Sequence, residues 1–199
     1  MELRMDDRVA LITGGSDGLG RAMAHAFSAS GASVAIAARG QEKLNSACDA
    51  ISQATGHRIE AYAADVSDAG QIAALYDKVT ADLGQVDILV NNAGTSQTGR
   101  FEEVTDEIWQ ADLDLKLMAA IRLCRLVLPG MKERRWGRII NVLNTAAKAP
   151  RGGSAPTSVS RAAGMALTKV LAGEGAAHNV LVNALCTGII ESGQWDRRF

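Results

Sequence analysis

The segment VALITGGSDGLG, Val9 to Gly20, passes from five apolar and β-branched residues into a run holding four glycines. After it, Ala22, Met23, Ala26 and Phe27 recur at helical spacing. A strand, a glycine turn and a helix in that order set the backbone amides of the helix start at the strand's carboxyl end, where an anion is stabilised. Gly14 permits the tight turn, Gly18 leaves the backbone open to phosphates, and Gly20 lets helix and strand approach closely. Ser16, Asp17 and Leu19 complete the loop. The pattern predicts a pyrophosphate-binding turn, with an ordinary strand-to-helix connection as the plainer alternative.

Outward from this turn, short β-branched runs alternate with longer segments of helical period. Strands are predicted at Val9 to Thr13, Ser33 to Ala38, Ile59 to Ala63, Ile88 to Val90, Arg138 to Leu143 and Val180 to Leu185. Most are apolar throughout, as parallel strands covered on both faces require. Ile72, Leu75, Tyr76, Val79 and Leu83 form one helical stripe. Leu117, Met118, Ile121, Cys124 and Leu128 form another, on a helix predicted to end before Pro129. With right-handed crossovers, this alternation predicts an α/β fold: a doubly wound parallel sheet of Rossmann type, one domain over residues 1–199, with its crevice at the carboxyl ends of the strands.

The composition narrows the partners. Lys and Arg number 21 against 22 for Asp and Glu, a balance with no net pull toward nucleic acid or an anionic membrane. The densest basic run, Lys132, Arg134, Arg135 and Arg138, is broken by Glu133 and reads as a solvated connection. Cys48, Cys124 and Cys186 lie far apart and odd in number, which predicts reduced core thiols and no metal site. No apolar run is long enough to span a membrane, and MELRMDDR lacks the apolar stretch of a signal peptide, so the expected location is cytoplasmic. A small-molecule ligand is the expected partner.

Two further segments give the glycine turn a context. Ala63, Ala64, Asp65 and Val66 follow the third strand, and Asn91, Asn92, Ala93 and Gly94 close the fourth. TGGSDGLG, the aspartate and NNAG, in this order, resemble the short-chain dehydrogenase/reductase family. The resemblance implies that Asp65 accepts from the adenine amino group and that Asn92, Ala93 and Gly94 lay backbone along the cofactor. At the end of the second strand stand Ala37, Ala38 and Arg39, with no carboxylate for a ribose 2′-hydroxyl and a guanidinium suited to a 2′-phosphate, so NADP is expected over NAD. Asp17 would oppose a third phosphate, and a solvated Arg39 is the alternative.

The same resemblance locates the catalytic positions, and each is occupied by a different residue type. Lys116 stands where the family has asparagine, Asn144 where it has serine, Thr157 where it has tyrosine and Arg161 where it has lysine. Both tyrosines, Tyr62 and Tyr76, precede the fourth strand, so no shift of register restores the usual proton donor. Thr187 replaces the family's proline before Gly188. A threonine hydroxyl is a far weaker acid than a phenol, and Arg161 can bond ribose or substrate oxygens without losing a proton. Lys116 is expected to return an ammonium to the relay if it enters the cleft. The plain alternative has Lys116 snorkelling, Asn144 capping a strand end, and Thr157 with Ser158 capping the following helix.

Two functions are compatible with these residues. One is an NADP(H)-dependent oxidoreductase of a carbonyl or secondary alcohol with a weakened proton relay, Asn144 and Arg161 polarising the oxygen. The other is a catalytically inactive dinucleotide-binding regulator or scaffold. Non-redox chemistry in the manner of halohydrin dehalogenases ranks last, because those relatives keep the tyrosine and lack an intact nucleotide loop. Ala162, Ala163, Gly164 and Ala166 allow close helix packing, and the resemblance implies a homodimer or homotetramer. It also implies a substrate-covering segment, a helix and an edge strand after the sixth strand, which are not among the 199 residues, so the substrate is not readable from them.

Overall fold

The computed structural model describes residues 4–188 and Ile190. Its elements are β1 (Val9–Thr13), α1 (Gly18–Ala29), β2 (Ser33–Ala38), α2 (Gln41–Thr55), β3 (Ile59–Ala63), α3 (Ala69–Leu83), β4 (Ile88–Asn91), β5 (Thr98–Gly99), α4 (Asp106–Leu113), α5 (Ala119–Glu133), β6 (Gly137–Asn144), β7 (Ala155–Pro156), α6 (Thr157–Gly175) and β8 (Val180–Thr187). Six strands form one parallel sheet in the order β3-β2-β1-β4-β6-β8. The chain starts mid-sheet, winds outward to β3, then crosses back past β1 to build the other half. The result is the doubly wound Rossmann sheet, with a switch point between β1 and β4.

The continuous apolar strands are explained by the two faces. Val9 and Leu11 of β1 join a core with Ile72, Leu75 and Val79 of α3 and Leu123 and Val127 of α5. Ala10 and Ile12 point the other way, into a core with Ala24 of α1 and Leu44, Ala47 and Ile51 of α2. Strand side chains alternate between faces, so a strand buried on both sides must be apolar at every position. Leu11, Ile12, Ile36 and Leu89 are completely buried, and each contributes about 1.5–3 kcal/mol relative to an exposed side chain. Asp68 caps α3 by accepting from the Gln71 amide at 2.8 Å, and Gly56 closes α2 in the left-handed region at φ +75°.

Two expectations about the second half need correction. The long helix does not stop before Pro129 but runs on to Glu133 with the proline inside it. Its buried face is Ala119, Ala120, Leu123, Cys124, Val127, Leu128 and Met131, while Leu117, Met118 and Ile121 are half-buried. The cause is a π-helical turn over Asp114–Met118 between α4 and α5. It inserts an extra residue into the ladder and rotates the helix out of the phase a uniform 3.6-residue period assigns. The basic run does lie in the helix-to-strand connection, with Arg134 and Arg135 exposed; Arg134 donates to the Val86 carbonyl at 3.0 Å, Arg135 to Ala177 at 3.1 Å and Arg138 to Asn179 at 3.1 Å. Cys48 and Cys124 are buried, and Cys186 is half-buried. The expected absence of a last helix and edge strand falls outside the described residues.

Candidate active site

A cleft of about 990 Å³ runs along the carboxyl ends of the strands. Its outer half is built mainly from backbone. Gly14 sits at φ +66° and Gly18 at φ +50°, conformations that side-chain-bearing residues rarely adopt. A Cβ on Gly14 would lie 2.9 Å from Asn92 Nδ2, and one on Gly20 would run into the Gly14 carbonyl. Asp17 is the N-cap of α1 and accepts from the Gly18 amide at 2.7 Å. Asn92 donates to the carbonyls of Thr13 and Gly14 at 2.9 and 3.1 Å, and the Thr13 hydroxyl accepts from the amides of Asn92 and Ala93 at 3.0 and 3.1 Å. Turn and NNAG segment are thereby locked together.

Gly14, Ser16, Asp17, Gly18, Leu19, Arg39, Asp65, Val66, Asn92, Ala93 and Gly94 all line this cleft, whereas Gly20 is packed behind it. Asp65 Oδ1 accepts from the Ser67 amide and hydroxyl at 2.9 and 2.7 Å. Burial pushes the Asp65 carboxyl upward, but these bonds and the nearby Arg39 charge outweigh it and hold the group below the usual carboxylate range. Lys43, near the start of α2, lines the cleft beside Arg39. Sequence reading passed over it, although its place one turn after Arg39 was a usable signal.

The inner half is built from side chains. Asn144, Thr157 and Arg161 line the cleft. Arg161 donates to the Val142 carbonyl at 2.7 Å, and its guanidinium packs against Gly94, where a Cβ would come within 2.5 Å of it. Asn144 does not tie off the strand end: its Oδ1 is buried without a hydrogen-bond partner. Nor does the Thr157 or Ser158 side chain cap α6, whose N-cap is Pro156 with no side-chain bond. The Thr157 hydroxyl accepts from Lys116 Nζ at 2.6 Å and from the Gln97 amide at 3.1 Å, and its proton faces the Gln97 carbonyl at 2.6 Å and Asp112 Oδ1 at 3.2 Å. One donor and two lone pairs are thus fully committed, and Thr157 has no proton left to deliver into the cleft.

Lys116 neither enters the cleft nor snorkels. Its side chain is completely buried and paired with the equally buried Asp112, behind Thr157. Burial pushes the ammonium below its ordinary range and Arg161 adds to that, against the opposing pull of Asp112. Asp112 Oδ2 accepts from Ser160 Oγ at 2.6 Å. Asp112 and Ser160 were missed in the sequence. The i,i+4 spacing of Asp112 and Lys116 was the available signal, but that spacing usually marks a solvated pair on a helix surface.

The residues present fit a dinucleotide. Turn glycines that a Cβ would obstruct leave the strand end open beside the start of α1, and the cleft continues from there to both ends of the sheet. Among the described residues, no helix is long and apolar enough to cross a membrane, and no cluster of side chains suits a metal ion.

Comparison with known proteins agrees with this geometry. The family model for short chain dehydrogenases matches residues 8–198. Nodulation protein G of a Rhizobium species is 37% identical over 190 residues, spanning 96% of this chain and 76% of that protein. Acetoacetyl-CoA reductase of Shinella zoogloeoides is 38% identical over 183 residues, 92% of this chain and 74% of that protein. The crystal structure of L-sorbose reductase from Gluconobacter frateurii, complexed with NADPH and L-sorbose, superposes with a TM-score of 0.95 at 35% identity, covering 100% of this chain and 75% of that one. The glycine turn, the two-faced sheet and these matches agree, and the chain belongs to the short-chain dehydrogenase family.

Proposed function

We propose that this chain is an NADP(H)-dependent oxidoreductase that transfers hydride to or from a carbonyl or secondary alcohol, through a proton relay weaker than a phenol-based one. The observation that carries this reading is a single cleft with Arg39 and Lys43 beside the glycine turn at one end and Asn144 and Arg161 at the other. Two cations and no carboxylate at the end of β2 favour a 2′-phosphate. Asp17, whose carboxylate is bound by the Gly18 amide, is the opposing charge in the loop. Family membership and the reductases among the relatives support the reaction class.

A nicotinamide, when bound, supplies the hydride chemistry. The protein's part is orientation and charge: the turn and NNAG hold the cofactor end, Asn144 and Arg161 face a substrate oxygen, and Arg161 brings a fixed positive charge that does not titrate at neutral pH. Proton transfer falls to water in the cleft, because Thr157 is saturated and Lys116 is buried behind it. A positioned side-chain acid is worth about 10²- to 10⁴-fold, whereas orientation supplies roughly 7 to 11 kcal/mol, so a slow enzyme is the expected result. The same saturation of Thr157 favours, as a second reading, a dinucleotide-binding regulator without turnover. A homodimer or homotetramer is part of the proposal, with the exposed Val159 and Val170 of α6 available to a partner helix.

Calorimetric titration tests the cofactor. NADPH is expected to bind at least about tenfold more tightly than NADH, with the preference lost in Arg39→Ala, since a charge-assisted hydrogen bond contributes about 1.5–3 kcal/mol. Equal binding of the two nucleotides removes the NADP assignment, and binding without oxidation of NADPH by any carbonyl compound favours the regulator.

A further inference from the structure

Arg161 is a cation with no carboxylate paired to it among the described residues. Both carboxylate oxygens of Asp112, the acid that acts on it through space, are taken: Oδ1 by the Lys116 ammonium, and Oδ2 by Ser160 Oγ at 2.6 Å. Arg161 itself donates to a backbone carbonyl, and among the described residues no carboxylate lies within ion-pair distance of it. The Asp112–Lys116 pair behind the cleft is closed on itself, and Arg161 in the lining is left without an ion-paired carboxylate. Burial presses on both cations, and the Arg161 charge presses further on Lys116. A buried charge of this kind is costly until something supplies its opposite.

The remaining charged residues of the lining do not do so. Asp17 and Asp65 belong to the ends of β1 and β3, whereas Arg161 packs beyond β4, against the end of β6. On that strand, two residues from the carbonyl that holds Arg161, the Oδ1 atom of Asn144 is buried in the cleft wall with no donor. A cation with no paired carboxylate and an acceptor with no donor both belong to the inner lining of the cleft. They ask for a ligand that carries a negative charge and a hydroxyl donor on the same small frame.

We propose that the inner end of the cleft takes a small hydroxy acid and the corresponding oxo acid, with the carboxylate paired to Arg161 and the hydroxyl donated to Asn144. Rotation of the Asn144 amide presents Nδ2 to the carbonyl oxygen of the oxo form, so one side chain serves both oxidation states. In the reductive direction hydride from NADPH adds to the carbonyl carbon, a proton from water adds to its oxygen and leaves hydroxide to the solvent, NADP⁺ is released, and the carboxylate is unchanged. The turnover part rests on the oxidoreductase reading; the anion site does not.

The test uses 2-oxobutanoate and 3-oxobutanoate against their methyl esters, by calorimetric binding to the protein with and without bound NADP(H), and by oxidation of NADPH. An acid is expected to be favoured over its ester by about tenfold or more, from the charge-assisted bond to Arg161. The preference is expected to vanish in Arg161→Met and to survive, weakened, in Arg161→Lys. Esters accepted as well as acids, or neither accepted, by a protein that binds NADPH overturns the inference and leaves the oxidoreductase reading in place. Acid preference without NADPH binding supports the anion site and removes the redox reading. Because acid and ester are compared on the unaltered protein, the result stands even where Arg161→Met does not fold.

Discussion

The two halves of the cleft are made by different means. The outer half depends on backbone: glycines at positive φ, amides at a helix start, and Asn92 reaching two neighbouring carbonyls. The inner half depends on buried side chains from two separate parts of the chain, Asp112 and Lys116 at and just before the π-helical turn and the first turn of α6, tied to the backbone of Gln97. A backbone site tolerates change in most side chains but not an added Cβ. A buried ionic cluster tolerates neither partner being removed alone, because the charge left behind has no water to solvate it.

The sharpest way to break this contrast is at Lys116. Lys116→Met leaves the buried Asp112 carboxyl without its ammonium partner, and the expected loss is about 3–5 kcal/mol of folding stability by urea unfolding. The double variant Asp112→Leu/Lys116→Met is expected to recover most of it, because an apolar pair of similar volume replaces the ion pair without an orphaned charge. A loss below about 1 kcal/mol for the single variant, the value of a surface pair, refutes the buried cluster.

At the outer end, Gly20→Ala drives a methyl group into the Gly14 carbonyl. An expected cost of about 1–3 kcal/mol in stability should come with disproportionate loss of NADPH binding, because the turn itself is displaced. Stability lost with affinity unchanged would mean that the turn does not hold the nucleotide.

The smallest effect distinguishes the halves by pH. Burial pushes the Cys48 thiol on α2 up to about 11 and the Cys124 thiol on α5 up to about 12, from 9.0. The folded state keeps both protons where the unfolded state has lost them. Their contribution is therefore complete below about pH 9 and is lost as pH rises, through about 11 for Cys48 and about 12 for Cys124. Unfolding midpoints measured across this window should fall less steeply in Cys48→Ala and in Cys124→Ala than in the parent, each over its own range. An unchanged slope in both variants excludes this origin for the alkaline loss.

Much of this molecule was determined by sequence alone. The strand cores from Val9 to Thr13 and from Ser33 to Ala38, the glycine turn and NNAG are short-range patterns, because period and turn chemistry act within a few residues. Tertiary structure decided the rest. A π-helical turn changed the phase of the long helix, and with it which residues are buried. The hydroxyl of Thr157 was spent on Lys116 and Gln97, residues 41 and 60 positions away in the chain. Whether Lys116 meets solvent, cleft or carboxylate is set by the packing of three elements around it, and local spacing carries no record of that packing.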